Sequence, residues 1–204
     1  MSRTLYLLRH GQTEFNAEGR LQGQADSALT PLGRRQARAF GRALRSRLEP
    51  SNPAVVASPL GRVRATVDLM VSAAGLEIEV AFDARLVEIG LGAWEGLTEF
   101  DIDAQWPGIR LGRDRYDWLF DAPGGETYDA LECRAASILE DIATCAADTC
   151  IVVSHGMLGR VLRGHYCGLP RSRALRLEAP QDGFFELTDG RCELIKCDLG
   201  PEND

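Results

Sequence analysis

The sequence predicts an α/β fold in which helices flank a mostly parallel central sheet, making three layers. Three observations carry this. Short apolar runs at Leu5 to Leu8, Ala54 to Ala57 and Cys150 to Val153 each end abruptly in a polar residue. Each run then gives way to helical patterning, so strand, turn and helix recur in that order. Near its end the chain carries Gly183 to Leu187 and Cys192 to Ile195 around the Asp-Gly turn signal of Thr188-Asp189-Gly190-Arg191, which predicts a hairpin at one sheet edge.

The helices follow from local signals. Thr30 stands as an N-cap with Pro31 at the first helical position, and the Ala- and Arg-rich sequence beyond it predicts a helix from Pro31 to Arg47. A second helix is expected from Leu60 to Ala74, bounded by Gly75. A third is expected from Glu126 to Ala146, after Gly124-Gly125, because Leu131, Ala135, Ile138, Leu139 and Ile142 fall at helical spacing. The stretch between Trp94 and Gly125 is the least regular. No solenoid-period repeat, low-complexity tract or long Pro/Gly/Ser linker interrupts the chain, so one domain is expected over residues 1–204.

Composition narrows the function classes. Hydrophobic residues at 45% and charged residues at 26% place the chain among soluble globular proteins rather than disordered or fibrous ones. A formal net charge of -7 argues against nucleic acid and anionic membrane surfaces as partners, so any anion must be captured by a local cluster. Leu5 to Leu8 is too short for a signal-peptide core, and no stretch approaches the ~20 apolar residues of a membrane span, so a cytoplasmic protein is expected. The six cysteines form no C-x-x-C pair and read as free thiols.

The chemistry-bearing residues sit at the ends of the predicted strands. Two of the three histidines share a context, Leu7-Leu8-Arg9-His10-Gly11 and Val152-Val153-Ser154-His155-Gly156. Ligands of open α/β sheets gather outside the carboxyl ends of strands, so both histidines can meet in one crevice if their strands are neighbours. The middle run delivers Ser58-Pro59-Leu60-Gly61-Arg62 to the same face, with Arg62 in the first turn of a helix whose unpaired N–H groups favour an anion. Arg9 and Arg62 are expected to clamp a phosphate, since a guanidinium donates two parallel charge-assisted hydrogen bonds to its oxygens. A neutral imidazole can attack phosphorus and leave again, splitting one displacement into two, and a His between Arg and Gly suits that role. Each displacement needs a proton moved, and Glu88 is the candidate acid and base: its apolar, glycine-flanked segment Leu86 to Gly92 is expected to desolvate it and favour the protonated acid. His165, late in a predicted helix, reads as structural, and Trp94 either stacks on substrate or anchors the Glu88 loop by burying its ring. Metal binding has little support, because His10 and His155 lack an ordered set of carboxylate or thiolate companions, and no Walker A pattern is present; no metal or nucleotide cofactor is expected.

Arg9-His10-Gly11-Gln12-Thr13-Glu14-Phe15-Asn16 closely resembles the R-H-G-x-T-x-x-N signature of histidine phosphatases and cofactor-dependent phosphoglycerate mutases. Four further motifs agree in order: Ser58 to Arg62 with Thr66, Leu86 to the Trp94-Glu95-Gly96 end of its loop, Pro123-Gly124-Gly125-Glu126-Thr127, and Ser154-His155-Gly156. The resemblance spans Leu5 to Leu162. It implies His10 as the phosphorylated nucleophile, Glu88 as proton donor and acceptor, and Arg9, Asn16, Arg62 and His155, with the adjoining Gly156, as the phosphate pocket. By the same motif Gln22 and Gly23 stand where relatives contact substrate.

A small phosphorylated metabolite is therefore the expected partner, and hydrolysis the expected reaction. Typical mutases carry Gly-Trp after the first motif and a longer central insertion, whereas Gly23 is followed by Gln24 and the central region is short. Mutase-type transfer, a protein-phosphatase role and a non-catalytic phospholigand-binding module are the alternatives. The segment from Asp101 to Ala122 is where a substrate lid and specificity are expected. Its Arg110, Arg113 and Arg115 either read a second anionic group or pair with Asp101, Asp103, Asp114, Asp117 and Asp121. The open edge at the C-terminal hairpin would suit a homodimer.

Overall fold

The computed structural model describes residues 3–48 and 53–200. Its elements run β1 (Thr4–Arg9), α1 (Glu14–Ala17), α2 (Pro31–Leu48), β2 (Ala54–Ala57), α3 (Gly61–Ala74), β3 (Val80–Phe82), α4 (Glu99–Gln105), α5 (Tyr128–Thr144), β4 (Thr149–Ser154), α6 (Gly156–Tyr166), α7 (Arg171–Ala174), β5 (Gly183–Thr188) and β6 (Arg191–Lys196). The six strands form one sheet in the order β3-β2-β4-β1-β5-β6. β1, β2, β3 and β4 are mutually parallel, while β5 runs antiparallel to β1 and turns back into β6.

Both faces of the sheet are covered because the strand residues are apolar in both phases of the alternation. Leu5, Leu7, Cys150 and Val152 pack into one core with Leu131, Ile138, Leu158 and Val161 of α5 and α6. Tyr6, Leu8, Ile151 and Val153 face the other way, into a second core with Phe40 and Leu44 of α2 and Val63, Val67 and Met70 of α3. The expected three layers are thus formed by two separate helix pairs.

The expected helices are present with small shifts at their ends. Thr30 Oγ1 accepts from the N–H of Gly33, so it caps α2 as read. α3 stops on Gly75, whose φ of 68° is the left-handed cap that glycine takes without strain. α5 starts at Tyr128 rather than Glu126, because Thr127 is the capping residue and Glu126 is drawn off to Arg134. Some elements were not expected: α4 lies inside the stretch read as irregular, held by a reciprocal capping box between Thr98 and Asp101, and neither the edge strand β3 nor the short helices α1 and α7 had a counterpart among the expected elements.

The register sets up the site. Arg9 pairs with Ser154 across β1 and β4, Ala57 pairs with Val153 across β2 and β4, and the N–H of His10 and of Ser58 donate to Ser154 and Val153 carbonyls. Three strands end together and release their next residues at one rim. The turn after β1 is pressed against the start of α2: a Cβ on Gly11 would lie 2.2 Å from the Gly33 oxygen, so this approach of two backbones requires glycine.

Candidate active site

His10 and His155 follow neighbouring strands and stand side by side, ring centroids 5.3 Å apart. His10 Nδ1 lies 2.8 Å from the Gly11 carbonyl oxygen, which only an N–H can satisfy, so the proton is assigned to Nδ1. The lone pair then rests on Nε2, where Arg62 Nε donates to it at 3.3 Å. Burial, reinforced by the guanidinium groups of Arg9 and Arg62, holds the His10 pKa well below its usual value, so the ring is neutral at neutral pH. Burial does the same to His155, with Arg62, His10 and Arg9 adding repulsion. His155 Nε2 is bonded to Ser58 Oγ at 2.8 Å, and its Nδ1 is buried with no protein partner among the described residues.

The turn that carries His10 is anchored from α3: Thr66 Oγ1 accepts from the Gly11 N–H and donates to the Arg62 carbonyl. Arg62 itself is fully buried. Its Nη1 donates to the Ala25 carbonyl and to Asp26, and its Nη2 to the Gly23 carbonyl, which fixes the guanidinium beside His10. Here an expectation is corrected. The first N–H groups of α3 do not face an anion pocket, because the Asp26 carboxylate takes those of Gly61 and Arg62. The positive charge of the site comes from side chains instead.

Arg9 leaves β1 with Nη1 on the Ala179 carbonyl and Nε buried without a partner among the described residues. Burial lowers its pKa to about 10, opposed by Glu88 and helped by Arg160 and Arg62. Gly156 lets it lie close, since a Cβ there would meet the Arg9 guanidinium at 3.4 Å.

Glu88 meets surroundings other than the apolar loop that was expected. Its carboxylate accepts from the N–H groups of Ile89, Met157 and Leu158, each at 3.0 Å, and so sits on the first turn of α6. The loop is held from behind by Arg134, which donates to the Arg85 and Val87 carbonyls and pairs with Glu126, while Glu126 accepts from the Gly90 N–H. Trp94 is wholly buried against Trp106 and Trp118, which settles its role as an anchor of this loop. Glu95 is spent on the N–H groups of Gln24, Ala25 and Leu91.

One cavity of about 180 Å³ is lined by Arg9, His10, Asn16, Gln22, Gly23, Arg62, Glu88 and Gly156, all singled out in the sequence. His155 supports His10 from the side and does not line it. Asn16 Oδ1 accepts from Thr13 N–H and Gln181 Nε2, which leaves its amide N–H groups to the cavity. The same wall contains residues that the sequence did not single out for the cavity: Arg20, Leu119, Met157 and Arg160, together with Tyr116, until now only one member of the lid segment. Arg160 lies one helical turn past Gly156, and that spacing from a strand-end histidine was the signal that could have found it. His165 is not at the cavity. Among the described residues no group of three His, Cys, Asp or Glu side chains is gathered for metal ligation, and all six cysteines are free.

Known proteins resemble this chain over most of its length. The family model described as histidine phosphatase superfamily (branch 1) matches residues 5–194. A glucosyl-3-phosphoglycerate phosphatase of Mycolicibacterium vanbaalenii is 37% identical over 178 residues, covering 82% of this chain and 76% of that protein. A probable phosphoglycerate mutase of Salmonella paratyphi C is 34% identical over 178 residues, covering 85% and 80%. Among solved structures, the mycobacterial glucosyl-3-phosphoglycerate phosphatase complexed with VO3 superposes with a TM-score of 0.76 at 34% identity, covering 95% of this chain and 98% of that one.

Proposed function

Because the chain belongs to the histidine phosphatase superfamily, branch 1, we propose that it hydrolyses small phosphate monoesters through a phosphohistidine on His10. The observation that carries this reading is the fixed tautomer of His10: Nδ1–H is tied to the Gly11 carbonyl, and Nε2 stands beside Arg62 in a cavity shared with Arg9 and Glu88. In the first displacement Nε2 attacks phosphorus, the ester P–O bond breaks, and Glu88 gives a proton to the departing oxygen. In the second, water attacks phosphorus while the Glu88 carboxylate takes its proton, the P–N bond breaks and inorganic phosphate leaves. Arg9, Arg62 and the Asn16 amide hold the phosphoryl oxygens, which accumulate charge where guanidinium groups are least solvated, while His155, bonded to Ser58, packs against His10 from the side.

The names of the relatives support a phosphorylated sugar or sugar acid as substrate, with glucosyl-3-phosphoglycerate the first to try. The mutase reading keeps one support, the Salmonella relative. Phosphate release from a panel of esters with EDTA present separates the two, since a mutase returns the phosphoryl group to the sugar acid. The expected result is metal-independent release, a phosphoenzyme that is acid-labile, and loss of both in His10→Ala. Turnover surviving that substitution refutes the reading. Cytoplasmic location belongs to the same reading, supported only in that no helix among the described residues is long and apolar enough to cross a membrane. A homodimer rests on the open β6 edge, where exposed Arg191, Glu193 and Lys196 oppose strand pairing; sedimentation measures it.

A further inference from the structure

The arginines around the site fall into two groups by what holds them. Arg62 is paired with Asp26, and in the lid segment Arg110 is paired with Asp103 and Glu99, and Arg113 with Asp117 and Asp121. Arg160, Arg163 and Arg9 donate instead to three consecutive backbone carbonyls, those of Leu177, Glu178 and Ala179 in that order. These carbonyls belong to the strap that joins α7 to β5. Two residues further along the strap, Gln181 reaches the turn after β1: its Nε2 donates to the His10 carbonyl at 3.1 Å and to Asn16 Oδ1 at 3.0 Å.

The direction of these bonds follows from their partners. The Thr13 N–H can only donate, so the Asn16 atom 3.3 Å from it is the oxygen. The His10 carbonyl can only accept. The Gln181 atom that meets both acceptors is therefore the amide nitrogen, and both of its hydrogens are used. With Oδ1 engaged twice, the Asn16 amide offers its nitrogen, and not its oxygen, to the cavity that Asn16 lines. Without Gln181 a single long bond from Thr13 holds that orientation, and a flipped amide would set a carbonyl oxygen against an anion. Gln181 itself does not line the cavity.

We infer that Gln181 is a positioning residue for phosphoryl transfer: anchored on the His10 carbonyl, it orients the Asn16 amide so that its N–H groups meet the phosphoryl oxygens. This rests on the phosphatase reading above. The strap then serves the site twice, holding Arg9 through the Ala179 carbonyl and Asn16 through Gln181.

The test is a double-mutant cycle with p-nitrophenyl phosphate as substrate and orthovanadate as inhibitor. Gln181→Met removes both donors at nearly unchanged volume. In the wild-type background it should lower kcat/KM and weaken vanadate inhibition by roughly 10-fold, the order of one hydrogen bond to a charged group. In Asn16→Ala, which has no amide to orient, the same substitution should change the vanadate inhibition constant by less than about twofold. That constant does not depend on the fraction of folded enzyme, so partial misfolding of a variant does not obscure the comparison. An unchanged constant in Gln181→Met overturns the inference, and so does an equal weakening in both backgrounds; the phosphatase reading stands in either case. Failure of the wild type to release phosphate from any ester overturns that reading and the inference with it.

Discussion

Replacing Glu88 by Gln separates the structural task of that carboxylate from the chemical one proposed for it. Structurally it accepts three N–H bonds, two at Oε1 from Ile89 and Leu158 and one at Oε2 from Met157. An amide oxygen at the Oε1 position keeps two of them, but the amide nitrogen then faces the Met157 N–H, donor against donor. The loss is one hydrogen bond to a charged group, about 1.5–3 kcal/mol of stability. Chemically, removing the acid costs typically about 10²–10⁴ in rate where a proton must be delivered to the leaving oxygen. Because kcat/KM reports the steps up to the phosphoenzyme, it should fall by that factor for an alkyl phosphate. For p-nitrophenyl phosphate, whose leaving group departs as a stable anion, it should change little. The slowed second displacement should appear as a burst of p-nitrophenol followed by a slow steady state, with phosphoenzyme accumulating. A fall in kcat/KM by the same factor for both esters would refute the role of Glu88 as leaving-group acid and leave it as a brace for α6.

Three further outcomes follow from the geometry. The pKa values of His10 and His155 are held below 6.5 in the fold, so below that pH the unfolded chain binds protons that the native state refuses. Stability should rise with pH through this window by up to about 1.4 kcal/mol per pH unit for each ring and level off above it, and urea unfolding of His155→Gln should show a shallower acid slope than the wild type. Thr66→Val keeps the shape but strands the buried Gly11 N–H, costing about 1–3 kcal/mol, and should lower the yield of phosphoenzyme together with the melting temperature; an unchanged protein would show that this bond does not hold the His10 turn. In Gly33→Ala the new Cβ would lie 2.0 Å from the Gln12 carbonyl oxygen, so the His10 turn must move away from α2, at about 1–3 kcal/mol or more for overpacking, seen as a lower urea midpoint and a raised KM.

Much of the fold was legible because its signals are local. An N-cap such as Thr30, a left-handed Gly75 and apolar runs of strand length act within a few residues of themselves. The same is true of the site's chemistry: Arg9-His10-Gly11 and Ser154-His155-Gly156 each follow a strand, and pairing of β1 with β4 brings them together in register. What the sequence could not state was which long-range partner claims each polar group. Asp26 caps a helix that starts 35 residues later, and this converts an expected anion site into a structural cap. Glu88 lies in an apolar stretch of sequence yet rests on the N–H groups of α6, supplied about seventy residues further on. α4 was hidden inside a segment rich in charged and aromatic residues, where its capping box competed with no clear apolar period. Arg160 and Tyr116 meet only in the folded chain, from two elements far apart in sequence. By itself the sequence determined the three strands that end at the site, the C-terminal hairpin, the main helices and the candidate site residues, because those depend on residue type and near spacing. The tertiary structure decided which arginines are paired with carboxylates and which line the cavity, because charge pairing depends on distances that no local pattern encodes.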